Sequence, residues 1–146
     1  MPVATVSFGN RVRALARRID RAMLERVAAH GLTLPQYHVL RELFGEEGIT
    51  QRELSARLST TEPAVLGTLR RMEEQGLVRR ERDASDRRRI NVTLAPRGRA
   101  LREPLHAHAQ RLNTAMGRGL SEDEVRQFRT LLERIEANLA GRHGDG

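Results

Sequence analysis

Six arginines fall within eleven positions, 79 to 89, in the stretch LVRRERDASDRRRINVTLAPRG (residues 77–98), with Glu81, Asp83 and Asp86 between them. A solvated turn needs polarity, but it does not need guanidinium groups at this density. Arginine keeps its charge at any physiological pH and forks onto phosphate oxygens, so the implied chemistry is contact with a polyanion. A second set of donors lies just upstream in LSTTEPAVLGTLRRMEEQG: Thr61, Thr68, Arg70 and Arg71 are the side chains able to reach base edges or phosphates. On a helix, positions 62, 63, 66, 67, 70 and 74 lie opposite Val65, Leu69 and Met72, which puts Pro63 and Gly67 on the outward face with Arg70.

Catalytic chemistry finds no footing. The chain has no cysteine, no glycine-rich phosphate loop and no nucleophile elbow, and its serines and histidines show no triad spacing. The reading is therefore not an enzyme, with no catalytic residue and no cofactor. Nor is a metal site expected, because His106 and His108 stand two apart and a chelating helical pair prefers a spacing of three or four.

All 26 basic residues are arginine, and the formal net charge is +7 over 146 residues. Arginine without lysine is also what a G+C-rich genome produces, so arrangement carries more weight than number. The charge favours double-stranded DNA as the partner. With no signal peptide, lipid anchor or long apolar run, no membrane role is expected and the location is read as cytoplasmic. At 38% hydrophobic content with four aromatic residues, Phe8, Phe44, Phe128 and Tyr37, the core must be aliphatic, which suits packed helices.

These residues need a scaffold, and the periodicities supply one. Phe8, Val12, Leu15, Ile19, Met23 and Val27 write an apolar stripe along a first helix that Gly31 ends. Thr33 and Pro35 start a second helix with Tyr37, Leu40, Leu43 and Phe44 inward. Thr50 to Glu53 reads as a capping box opening a short third helix, and Thr61 with Pro63 opens a fourth, giving a helix-turn-helix. After Gly76 the period changes to two, with Leu77 and Val78 opening one strand and Ile90, Val92 and Leu94 alternating along the other, around the turn DASD. One helix is then expected from Pro96 to about Gly117, and a last one from the capping box Ser121–Glu124, with a fraying tail.

This order of elements, with the wing segment DASDRRRINVTLAPRG behind the helix-turn-helix, resembles the MarR (multiple antibiotic resistance regulator) family of winged helix-turn-helix transcriptional regulators. The resemblance implies a mainly α fold: a winged lobe at about 33–95 with a two-stranded wing, and dimerisation helices at about 6–30 and 96–140, within one domain of 1–146. It implies a homodimer that binds a pseudopalindromic operator, as a ligand-responsive repressor. Asp86 would orient Arg88 for the minor groove, with Arg87 and Arg89 beside it. A small aromatic or carboxylated effector would meet Arg11, Arg17, Tyr37 or His38. The alternative is a winged-helix protein used for sequence-indifferent DNA binding or for protein contacts, which the scarcity of donors on the fourth helix keeps open.

Overall fold

The computed structural model describes residues 7–141. The tail at 142–146 and residue 6, where the first dimerisation helix was expected to begin, lie outside them. In chain order the elements are α1 (Phe8–Ala29), α2 (Leu34–Gly45), β1 (Ile49–Thr50), α3 (Gln51–Arg57), α4 (Glu62–Glu74), β2 (Val78–Arg82), β3 (Ile90–Leu94), α5 (Pro96–Ala100), α6 (Arg102–Met116) and α7 (Glu122–Ala140).

Local chemistry sets most of these boundaries. Gly31, at φ 73°, turns the chain out of α1, and the Leu32 amide bonds back to the Val27 carbonyl. Helix α2 begins with a reciprocal box: Thr33 Oγ1 accepts from the Gln36 amide while Gln36 Oε1 accepts from the Thr33 amide. Ser121 and Glu124 do the same at α7. At α3 only half of the expected box forms. Thr50 accepts from the Glu53 amide, but the Glu53 carboxylate goes to Arg57 at 2.7 Å, one turn on.

Two expectations are corrected. The wing is not a two-stranded hairpin alone: β1 adds to it, giving an antiparallel sheet ordered β1-β3-β2, with Ile49 opposite Val92 and Thr50 opposite Asn91. The helix expected from Pro96 to Gly117 is interrupted at Leu101. Pro104 explains the break, since it has no N–H to give the Ala100 carbonyl and its ring crowds that carbonyl.

The described chain falls into two compact units divided between Ala109 and Gln110. In the first, Val39, Leu40 and Leu43 of α2, Leu54 of α3, and Val65, Leu69 and Met72 of α4 are buried with Val78, Val92 and Leu94 of the sheet and Leu105 of α6. Each such side chain contributes about 1.5–3 kcal/mol by leaving water. This core fixes α4 against the sheet, and so fixes the outward face of α4 relative to the wing. Phe8, Val12 and Leu15 of α1 stay 44–55% exposed. In the second unit no residue of α7 is buried, and Phe128 and Leu131 are about half exposed.

Candidate nucleic-acid interface

Burial of Val65, Leu69 and Met72 turns the opposite face of α4 outward, as the helical period requires. Thr61 caps the helix by accepting from the Ala64 amide, and Pro63 stands in its first turn. Arg70 and Arg71 are exposed, and neither forms an ion pair among the described residues. A Cβ at Gly67 would meet nothing within 4 Å, so the face there is open. Thr68 differs from the others. Its hydroxyl donates to the Ala64 carbonyl, and it lines a cavity on the α2 side of α4 rather than the wing side.

The wing side of α4 carries more arginine than the helix alone. In β2, Val78 is buried and Arg80 and Arg82 share its parity, so both point toward α4. Arg80 bonds Glu73 of α4 at 2.9 Å, and the cleft between helix and wing is lined by Gln51, Leu66, Arg70, Arg80, Arg82 and Ile90. A larger cleft of about 620 Å³ continues toward the tip, with Arg52, Glu62, Asp86, Arg88 and Arg89 on its walls. Gln51 lines both clefts, and its Oε1 is buried without a hydrogen-bond partner among the described residues. Gln51, Arg52, Arg80 and Arg82 were not singled out from sequence. Counting by two from Val78 identifies Arg80 and Arg82; nothing local identifies Gln51.

The tip is ordered by two aspartates. Asp86 Oδ1 accepts from the Arg88 amide at 3.0 Å and from Arg88 Nε at 3.4 Å, while the Arg88 side chain is 93% exposed. Asp83 does more. Its Oδ1 accepts from the Ser85 hydroxyl, the Ser85 amide and the Asp86 amide, and its Oδ2 accepts from Asn91 Nδ2 at 2.9 Å. The Ser85 hydroxyl first, then Asn91 and the two amides, hold the Asp83 carboxyl far below the usual carboxylate range. Arg82 donates to the Arg87 carbonyl. The tip arginines 87 to 89 are exposed.

The four residues proposed for an effector do not converge within the chain. Tyr37 is buried, which raises its pKa, and its ring packs 5.9 Å from that of His38. His38 meets Asp20 of α1 at 3.4 Å. It lines the cavity of about 250 Å³ with Pro35, Val39, Leu58, Thr60, Ala64, Val65 and Thr68. Neither Arg11 nor Arg17 lines that cavity; Arg11 belongs to a shallow groove on α1 with Ala14, Leu15 and Arg18. Among the described residues no group of three histidines or carboxylates could hold a metal, and no helix is long and apolar enough to cross a membrane.

Comparison with known proteins gives the same frame. The MarR family model matches residues 32–90. The chain is 33% identical over 105 residues to an HTH-type transcriptional repressor of Mycobacterium tuberculosis, covering 72% of this chain and 76% of that protein. It is 40% identical over 91 residues to the HTH-type transcriptional regulator TtmR of Methylorubrum extorquens, covering 62% of this chain but only 47% of that longer one, so the match spans about half its length. Among solved structures, the transcriptional regulator SlyA superposes with a TM-score of 0.86 at 23% identity, over 94% of this chain and 96% of that one, a likeness of fold. MepR of Staphylococcus aureus, in its complex with DNA, superposes with a TM-score of 0.82 at 26% identity, over 92% and 99% of the two chains. These relatives are regulators rather than enzymes. With its helix-turn-helix, three-stranded winged sheet and flanking long helices, the chain belongs to the MarR family of winged helix-turn-helix transcriptional regulators.

Proposed function

We propose that the protein is a ligand-responsive repressor that binds a pseudopalindromic DNA operator as a homodimer. The observation that carries this reading is the wing tip: an almost fully exposed Arg88 held at two atoms by Asp86, beside the open face of α4. A guanidinium fixed in orientation suits a narrow minor groove, where negative potential is concentrated, while α4 occupies the adjacent major groove. Thr61, Pro63, Gly67, Arg70 and Arg71 would face the major groove or its edge. Arg87 and Arg89 would flank Arg88, and Thr68 would contribute only from the far flank of the helix.

Dimerisation is supported by apolar surface. Phe8, Val12 and Leu15 on α1, and Phe128 and Leu131 on α7, are each about half exposed on helices outside the winged lobe. Repression is supported by the mycobacterial relative described as a repressor. For the effector, the cavity lined by His38 abuts α4 directly and has room for one small aromatic or carboxylated molecule. A ligand there would press on the recognition helix itself.

Selection of bound genomic fragments, paired with sedimentation of the free protein, tests the core of this reading. An enriched palindrome with half-sites about one helical turn apart, and a dimer at micromolar concentration, are the expected results. Fragments without a shared palindrome would replace it with sequence-indifferent binding, for which the donor-poor face of α4 (Glu62, Pro63, Leu66, Gly67) is the reason. A stable monomer would remove the two-lobe geometry altogether.

A further inference from the structure

The geometry points to Asp83 as the positioning residue of the wing: it sets the conformation of the tip from which Asp86 can hold Arg88, and so acts on sequence selectivity without touching DNA. This rests on the reading of Arg88 as the groove contact. The register ladder of the wing ends at the pair Arg82–Ile90. Beyond it seven residues must form a compact tip with little regular pairing. The backbone provides a neck, with the Asp83 amide donating to the Arg89 carbonyl and the Arg89 amide to the Asp86 carbonyl. Besides the Arg82 bond to the Arg87 carbonyl and the Asp86 bonds to Arg88, four hydrogen bonds of the tip converge on the Asp83 carboxylate.

The two Asp83 oxygens divide the work. Oδ1 gathers the amides of Ser85 and Asp86 and so sets the direction of the turn. Oδ2 reaches across to Asn91 of β3, eight residues on, and ties that turn to the strand. Asp86, by contrast, bonds only within its own turn, to Arg88. The order of dependence follows: Asn91 anchors Asp83, Asp83 holds the Asp86 amide, and Asp86 holds the guanidinium. Six arginines around a short loop repel one another, and without such an anchor their mean position would be set by repulsion rather than by the groove.

Charge alone predicts the opposite outcome, which makes the idea sharp. Removing an acidic group beside DNA lowers repulsion and should tighten every complex. The experiment compares binding to the selected operator with binding to a scrambled duplex of equal length, at two salt concentrations, after thermal unfolding confirms that each variant is folded. Asp83→Ala should lower the operator-over-scrambled ratio by roughly tenfold per half-site, the scale of one good groove contact, while scrambled-duplex affinity stays level or rises. In an Arg88→Ala background the same deletion should lower the ratio no further, because it acts through that arginine. Asn91→Asp, which opposes two carboxylates, should also lose selectivity, and adding Asp83→Asn to it should restore part of the loss by reversing the donor and acceptor.

A ratio that holds or improves in Asp83→Ala, a full additional loss in the Arg88→Ala background, or no recovery in the swapped pair would each overturn the inference. If Arg88→Ala lowers the ratio and Asp83→Ala does not, the inference fails alone and the groove-reading wing stands. If Arg88→Ala leaves the ratio intact, both fall.

Discussion

A methyl group at position 98 would lie 2.1 Å from the Leu77 carbonyl oxygen and 3.0 Å from its carbon. Both neighbours are backbone, and that same carbonyl accepts the Ala95 amide at 3.0 Å, so it cannot retreat without breaking a bond. Gly98→Ala should therefore destabilise the protein, even though alanine is the better helix former. Overpacking of this kind costs about 3 kcal/mol at the upper end, against a propensity gain of roughly 1 kcal/mol, leaving a net loss near 2 kcal/mol. Urea unfolding would read it, and a variant as stable as the parent would mean that the start of α5 can lift off Leu77. The glycine that closes the wing signature is thus demanded by packing, and its role was not legible in the sequence. The same is true of Asp83. Its short polar side chain marks a turn, but its bond to Asn91 depends on a register that only the folded sheet supplies. The Asp86–Arg88 pair was expected from the family resemblance, and the two residues are in contact in the structure.

At the scale of elements, Glu47 joins the α2–β1 connection to the end of β3 and to α5. Its Oε1 accepts from the Leu94 amide at 2.8 Å and from Arg99 at 3.0 Å. The Leu94 amide first, and then Arg99, hold the Glu47 carboxyl below its ordinary range. A depressed carboxyl contributes stability above its unfolded pKa, roughly 4.3 for glutamate, and that contribution is lost as pH falls through the folded value. Glu47→Gln should cost about 1 kcal/mol near neutrality, a modest figure because the side chain is 35% exposed and screened. The gap between parent and variant should close as pH drops below about 4. A gap that does not change with pH would show that the amide replaces the carboxylate fully. Elements with strong local signals were legible: the Ser121–Glu124 box forms, Thr33 caps α2, and β3 spans Ile90–Leu94, whereas the Thr50–Glu53 box closes only by half and β2 starts at Val78 rather than Leu77. Strand β1 was not, since two residues carry no periodicity and its existence depends on Val92 and Asn91. The break at Leu101 was written in Pro104 but masked by the continuing apolar spacing of Leu101 and Leu105.

For the whole molecule, the proposed homodimer would be held by the half-exposed apolar stripes on α1 and α7. Leu15→Ser combined with Phe128→Ser removes about half-exposed apolar surface and leaves the core of the winged lobe untouched. Sedimentation should then show a monomer at micromolar concentration, and operator affinity should fall more than tenfold, because each lobe must find its half-site alone. A variant that stays dimeric would move the interface elsewhere. The winged lobe has a different kind of unity. Glu47 is bonded to Leu94 and Arg99, Ile49 pairs with Val92, Thr50 both caps α3 and stands opposite Asn91, and Leu77 is closed against Gly98. Recognition helix and wing are therefore not separate modules that recombination can shuffle. A chimera joined between α4 and the wing would inherit one lineage's strand and another's partner for it. If α4 and the wing read DNA as proposed, a change of DNA preference would have to be acquired by point changes within Glu47 to Arg99 or by exchange of that whole segment.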